Sequence, residues 1–382
     1  MKVKLITCWF MTSYGDYSDG LRKALERRLG DEVGVIATNC GCGDPISEGR
    51  HFVDRRCEYF ELPHIRYWRS TNPVKRLVRL TLYQIAGKRR ARQYSQRNGE
   101  AEVVHFQQIL NAFGSMTMFN WLALLSPAAR VVTVHELDDY QRNYPEVNRK
   151  YNLADQIIVH THDIKKRLVE FGVDDDRIDV VGHGVEIRPL GSEKREGIIF
   201  YAGHFPEKGK GTDALLKAMA LLKKQLGPET PVLKVHGHYG TQTPEYWSKY
   251  ATEAGIGKDI EWLNQISLEE SIAQYQKSLL CVLPYTGSFA GFPAVTAMAN
   301  GVPVIGTRLA GLLEHLGDAG TWVEPNDVEG LANTMLRLLN DKALQADLAA
   351  KGRRRAEMQF SWDTIAGKTL ESYEKALLRK GH

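Results

Sequence analysis

Short apolar runs alternate with stretches of helical spacing along nearly the whole chain. Residues 3–10 (VKLITCWF) read as a buried strand, the pattern of a parallel sheet covered on both faces. A polar stretch with two glycines, 13–20 (SYGDYSDG), predicts a loop, 21–29 a helix and 33–37 a second strand. This strand–loop–helix–strand opening is that of a doubly wound α/β domain. Segment 41–56 is turn-rich and polar and predicts an irregular excursion. Four more strands follow at 102–106 (EVVHF), 130–135 (RVVTVH), 154–159 (ADQIIV) and 178–181 (IDVV), with a helix over 164–171.

After a charged linker at 188–197, the alternation starts afresh. Strands are predicted at 198–202, 232–236, 260–263 and 279–283, and helices at 212–223, 246–254 and 267–277. The stretch 283–306 (LPYTGSFAGFPAVTAMANGVPVIG) reads as strand, glycine-bearing loop, helix and strand, with Asn300 and Gly301 closing the helix. A loop that feeds a helix at the carboxyl end of a strand presents backbone N–H groups to an anion; the competing reading is a plain βαβ turn. A helix over 328–339 and a long helical segment from 342 to the end, interrupted near 360–362, complete the chain.

At 382 residues the chain exceeds the size at which one core keeps growing, so two domains are expected. With 43% hydrophobic and 25% charged residues, the composition is that of a globular protein. No apolar run approaches the roughly 20 residues that span a bilayer. The N-terminus has a short apolar run without a small-residue cleavage site and leads into a strand, which argues against a signal peptide. The five cysteines (Cys8, Cys40, Cys42, Cys57 and Cys281) are odd in number and contain no C-x-x-C pair, so reduced cytosolic thiols are expected rather than a metal site.

The net charge of +4 matters less than its distribution. Segment 64–97 holds ten basic residues and no acidic one. Within it Val74, Leu77, Val78, Thr81, Leu82 and Ile85 recur at helical spacing, leaving Lys75, Arg76 and Arg79 on another face. A basic amphipathic helix with Tyr67 and Trp68 beside it suits an anionic membrane surface. A solvated helix capping the sheet is the alternative; no nucleic-acid-binding module is recognisable.

Two kinds of position carry chemistry. His105 and His135 sit at the ends of predicted strands, where a parallel sheet points side chains at a ligand crevice; Glu136 follows His135. In the second half, 203–211 (GHFPEKGKG) is a lysine-bearing glycine loop ahead of a helix, suited to a diphosphate. It is not a P-loop, and G-x-G-x-x-G is absent from the first loop, which removes the dinucleotide reading.

Taken in order, these segments resemble the retaining glycosyltransferases of family four, nearly end to end. EVVHF (102–106), VVTVHE (131–136) and ADQIIVHTHDIKKRL with IDVVGHGV (154–168 and 178–185) resemble first-domain signatures. YAGHFPEKGKGTDALLKAM (201–219) resembles the diphosphate loop, 299–332 the distal donor site and FSWDTIAGKTLESY (360–373) the terminal helix. The resemblance implies an α/β GT-B fold: two Rossmann-like doubly wound domains facing across a cleft. The acceptor domain would be 1–186, the donor domain 187–362, and a helix over 363–382 would pack back on the first. It implies metal-independent, retaining transfer from a nucleotide-diphosphate sugar, UDP-sugar before GDP-sugar, to a glycan, glycolipid or other hydroxyl acceptor. No cofactor is expected, and the setting would be cytoplasmic, peripheral on the inner membrane face. His135 and Lys210 align with the catalytic positions. Gly203, His204, Lys208, Gly237, Ile266, Ser288, Phe289, Ala290, Gly291, Phe292 and Thr296 align with the donor side, and Tyr14, Gly15, His105 and Glu136 with the acceptor side.

Three departures qualify that picture. His204 stands where the family has a diphosphate arginine, and a neutral imidazole is a weaker anion partner. Ser288 and Thr296 stand where the family has two glutamates eight positions apart, so hydroxyls replace charged acceptors for the sugar and the ribose. A GT-B-like binding protein without catalysis is therefore a rival reading. A second rival is a soluble transferase whose basic segment grips an anionic small-molecule acceptor.

Overall fold

In the computed structural model, the described residues are 1–8, 12–38, 57–60, 74–75, 78, 81, 85, 89, 101–107, 127–137, 143, 145–192, 194–203, 209–237, 244–264, 266–287 and 291–381. The irregular excursion expected at 41–56 lies outside them. They divide into two compact units: Met1–Gly182 with Trp362–His382, and His183–Ser361.

The first unit is built on a seven-stranded sheet of order β3-β2-β1-β4-β5-β6-β7. Its strands are β1 (Val3–Cys8), β2 (Val33–Thr38), β3 (Cys57–Phe60), β4 (Val103–Gln107), β5 (Ala129–Val134), β6 (Gln156–Val159) and β7 (Ile178–Val180). Every ladder is parallel, and β1 pairs on one side with β2 (Val3↔Val33) and on the other with β4 (Val3↔Val103). The strand order therefore reverses at β1/β4, where such sheets place ligands. β4 is buried at every position and β5 at all but one, which is why these strands read as near-continuous apolar runs.

The second unit repeats the plan with six parallel strands in the order β10-β9-β8-β11-β12-β13. They are β8 (Ile198–Gly203), β9 (Leu233–Gly237), β10 (Ile260–Asn264), β11 (Leu280–Leu283), β12 (Val304–Thr307) and β13 (Gly320–Val323). Its reversal lies between β8 and β11, so the loops leaving those two strands meet at the switch point. Local chemistry sets the helix starts. Ser267 and Glu270 form a reciprocal capping box for Leu268–Gln276, and Asp327 caps Val328–Asn340.

One expectation is corrected outright. The stretch 13–20 is not a loop, because a single helix runs from Thr12 to Leu29. Tyr17 is buried with Leu21, Ala24 and Leu25, an apolar stripe at helical spacing that starts a turn earlier than the sequence suggested. Gly20 is tolerated mid-helix because Trp362 occupies the space a Cβ would need. Tyr14 and Gly15 thus lie in the opening turn of a helix, not in an open loop. The short strand β3 and the helix Ala310–Leu316 were also not anticipated.

The terminal helix Trp362–Lys380 belongs to the first unit. It buries Ile365, Ala366, Thr369, Ser372, Tyr373 and Ala376 along one face. Asp179 accepts from Ser372 Oγ at 2.8 Å and Lys375 Nζ at 2.7 Å, and Arg379 pairs with Asp176. A π-helical turn, Ala356–Phe360, precedes it where the sequence pattern predicted an interruption.

Candidate functional site

In the first unit, His135 just after β5 and His160 just after β6 stand at the carboxyl ends of adjacent strands, whereas His105, expected at a strand end, is the third of the five residues of β4. His160 Nδ1 lies 2.8 Å from the Val181 carbonyl, which can only accept, so that nitrogen carries the proton. Its Nε2 is 2.8 Å from His135 Nδ1. His135 Nε2 lies 3.2 Å from Gln107 Oε1, while the Gln107 NH2 faces the His105 ring, 3.1 Å from its Nε2. His105 extends the chain, with Nδ1 2.7 Å from the Tyr373 hydroxyl and Nε2 2.7 Å from Thr133 Oγ1. Tyr17 closes the group edge-on to both His135 and His160.

Burial, reinforced by the neighbouring His160, holds the His105 ring down to about 3. The same two causes, with His105 added, push His135 well below the usual imidazole range. His135 is thus a neutral ring rather than a cation. His105, placed on the acceptor side by the resemblance, is fully buried and engages both nitrogens within its own unit. Glu136 is half-buried beside His135. The sequence reading missed His160 and Gln107, although the repeated apolar-run–histidine ending of VVTVH and QIIVH marks His160.

In the second unit, the loop after β8 and the loop after β11 are joined backbone to backbone. Gly209 O accepts from Thr286 N at 2.9 Å and Gly287 N at 3.3 Å. Gly211 is left-handed (φ +70°) and caps the helix Thr212–Leu226; the Pro284 carbonyl lies where its Cβ would be. Only glycine meets both demands. Between these glycines Lys210 is 6% exposed, with Nζ 4.3 Å from the Tyr285 ring centroid. Thr212 Oγ1, one residue into the helix, is buried without a hydrogen-bond partner among the described residues. A buried cation at a helix N-terminus is a construction for binding an anion.

Gly291 caps the helix Phe292–Ala299, and a Cβ there would lie 2.6 Å from His315 Cγ. His315 Nδ1 donates to the Gly311 carbonyl at 2.6 Å, so its ring is fixed against the glycine. Phe292 is half-buried and meets His183 edge-on. Thr296 is buried, and its hydroxyl donates back to the Phe292 carbonyl at 2.9 Å. It therefore completes its own helix, so Thr296→Val should leave nucleotide affinity within about twofold, as titration calorimetry would show. Gly203 ends β8 opposite Gly237 (φ +123°) at the end of β9, and half-buried Ile266 precedes the Ser267 cap. His204, Lys208, Ser288, Phe289 and Ala290 lie outside the described residues.

Two family models match this chain: Glycosyltransferase Family 4 over 17–188 and Glycosyl transferases group 1 over 185–355. The chain belongs to these glycosyltransferases. Among curated relatives, the D-inositol 3-phosphate glycosyltransferase of Rhodococcus opacus is 31% identical over 58% of this chain and 54% of its own length. The chain thus spans about half the length of the first curated relatives it matches. The MMP α-(1→4)-mannosyltransferase of Mycolicibacterium hassiacum is 27% identical over 92% of both chains. Among solved structures, a sucrose-phosphate synthase from Thermosynechococcus elongatus superposes with a TM-score of 0.73 at 20% identity, covering 98% of each chain. Anabaena HepE in complex with UDP and glucose gives 0.72 at 16%, covering 98% of this chain and 99% of its own. These likenesses establish the glycosyltransferase fold of the two parallel-sheet units, GT-B. In that fold, the Lys210 loop and the Gly291 helix leave adjacent strands at the switch point.

Proposed function

We propose that this chain is a retaining glycosyltransferase that moves a sugar from a nucleotide-diphosphate donor to a hydroxyl of a glycan or lipid-linked acceptor. The observation that carries the reading is Lys210, a buried cation fixed at a helix N-terminus on the switch point of the second sheet. A diphosphate leaving group gains charge as the glycosidic bond breaks, and an ammonium with helix amides stabilises that charge without a metal. Turnover in the presence of a chelator should therefore equal turnover with Mg2+. The UDP complexes of HepE favour a UDP-sugar, with a GDP-sugar next. Proton removal from the acceptor falls to the departing phosphate; His135 enters as a neutral, oriented ring. Titration calorimetry with UDP and GDP, followed by a donor-hydrolysis assay over a nucleotide-sugar panel, tests the reading. No binding of either nucleotide at millimolar concentration would sink it.

Thr296 favours one rival: with its hydroxyl turned into its own helix, the position offers no charged acceptor for a ribose. UDP binding with neither hydrolysis nor transfer would identify a non-catalytic GT-B binding protein.

Segment 64–97 bears on where the enzyme works. Val74, Val78 and Ile85 are helical and 67%, 52% and 61% exposed, on one stripe beside exposed Lys75 and Arg89. An apolar stripe in so basic a segment suits the anionic inner face of a membrane, and no helix among the described residues is long and apolar enough to cross one. The chain should float with phosphatidylglycerol vesicles at low salt and detach at high salt. Failure to float would leave a soluble enzyme whose basic segment grips an anionic small acceptor, in keeping with the D-inositol 3-phosphate of the curated relatives.

A further inference from the structure

Lys210 is a buried ammonium, and what surrounds it is unusual for a lysine. Its Nζ sits 4.3 Å from the centroid of the Tyr285 ring and 5.8 Å from that of Tyr201. Tyr285 is fully buried and anchored at both ends. Its hydroxyl donates to the Tyr201 carbonyl of β8 at 3.0 Å, and its own carbonyl accepts from Thr307 Oγ1 of β12 at 2.6 Å. The residues flanking Tyr285 hold the lysine's backbone as well: Thr286 and Gly287 donate to Gly209, and Pro284 fills the space beside Gly211. The short run 284–287 thus fixes both the root and the tip of one side chain.

A lysine stem carries large rotamer entropy, and an ammonium withdrawn from water is destabilised unless something replaces its hydration. An aromatic face within about 6 Å supplies part of that replacement through its ring quadrupole, and does so most strongly where water is excluded. The ring is rigid because strands on either side of β11 hold it, so the ammonium is placed before any ligand arrives.

We infer that Tyr285 is a positioning residue for the donor site, whose ring face holds the Lys210 ammonium ready for the diphosphate. The inference rests on the reading of Lys210 as the diphosphate cation. It assigns to Tyr285 a share of donor affinity although the tyrosine need not touch the nucleotide.

The test is a double-mutant cycle read by UDP titration calorimetry, with the Lys210 Hε resonance followed by NMR on lysine-labelled protein. Tyr285→Phe keeps the ring and should bind UDP within about twofold of wild type. Tyr285→Leu should weaken UDP binding about tenfold and move the Hε resonance out of its ring-current shift. In a Lys210→Met background the same Tyr285→Leu change should have less than about a twofold effect, because the group it positions is gone. Pentafluorophenylalanine at position 285 keeps the shape and reverses the quadrupole, so it must reproduce the loss in a folded protein even if the leucine variant unfolds. Equal losses in both backgrounds, or full UDP affinity with the fluorinated ring, would overturn the inference and leave Tyr285 a packing residue. An unchanged UDP affinity in Lys210→Met alone would remove the diphosphate reading itself. The ring-current shift then still reports whether tyrosine and lysine touch, so the two failures are told apart.

Discussion

Lys210→Ala should lower kcat/KM for the nucleotide-sugar donor by about two to three orders of magnitude, the range found when one preorganised charge-stabilising group is removed from an active site. Most of the loss should fall in kcat, because the diphosphate carries more charge as it leaves than in the bound donor. A modest loss of stability should accompany it, because the stem of a residue only 6% exposed leaves a cavity when truncated. Steady-state kinetics with the preferred donor, beside a thermal melt, checks both statements. Full activity in a folded Lys210→Ala protein would refute the diphosphate assignment. Arginine is not expected to restore function: a planar guanidinium is a larger group than the ammonium seated over Tyr285.

How much of this could be read in advance depended on whether the determining contact was local. The parallel strands were legible because both faces are covered, so β4, β6, β11 and β12 are buried at every position and appear as unbroken runs. The glycine–lysine loop was legible because left-handed turns and helix starts leave residue-level marks at Gly209, Gly211 and Thr212. The helix Thr12–Leu29 was not, since Gly15 and Gly20 look like loop residues until Trp362, far along the chain, is seen filling the space at Gly20. β3 (CEYF) was missed because a short edge strand with a charged residue carries no periodic signal. His160 and Gln107 were missed for a similar reason. Their partners lie on neighbouring strands, and the pairing His160–His135–Gln107 exists only once β4, β5 and β6 are in register.

The two units treat the family's chemistry differently. In the second, the described residues include two switch-point loops bonded to each other, glycines where side chains cannot fit, and a buried lysine. Of the three departures from the pattern that the resemblance implies, Thr296 lies among the described residues, and its hydroxyl bonds its own helix where a glutamate was expected. Backbone N–H groups and one cation can hold a diphosphate without that acid, whereas a ribose loses a charged acceptor there. The predicted consequence is selectivity resting on the phosphates more than on the ribose, consistent with the small effect expected for Thr296→Val.

Acid should unfold both units well before their carboxylates are protonated in bulk. Burial pushes His236 down to about 4 and His105 down to about 3, and lowers His135 and His315 as well. Each ring is neutral in the fold and takes up a proton once the chain unfolds and it regains an ordinary value near 6.5. Below about pH 6.5 the unfolded state therefore binds more protons, and stability falls as pH falls. Each such histidine contributes on the order of 1.4 kcal/mol of loss per pH unit, levelling off only near its folded value. His105 and His135 lie in the first unit and His236 and His315 in the second, so neither should escape. Calorimetric melts between pH 7.5 and pH 4.5 should show every transition moving to lower temperature, with the slope steepening below pH 6.5. His236→Phe separates this cause from general acid effects. It removes one proton acceptor and a buried Nε2 that has no hydrogen-bond partner among the described residues, while an aromatic ring stays between Tyr201 and Tyr275. The second unit's transition should then depend less on pH and the first unit's should not change. Melting temperatures flat from pH 7 to pH 5, or a His236→Phe protein with the wild-type slope, would mean that these rings are not the acid-sensitive element.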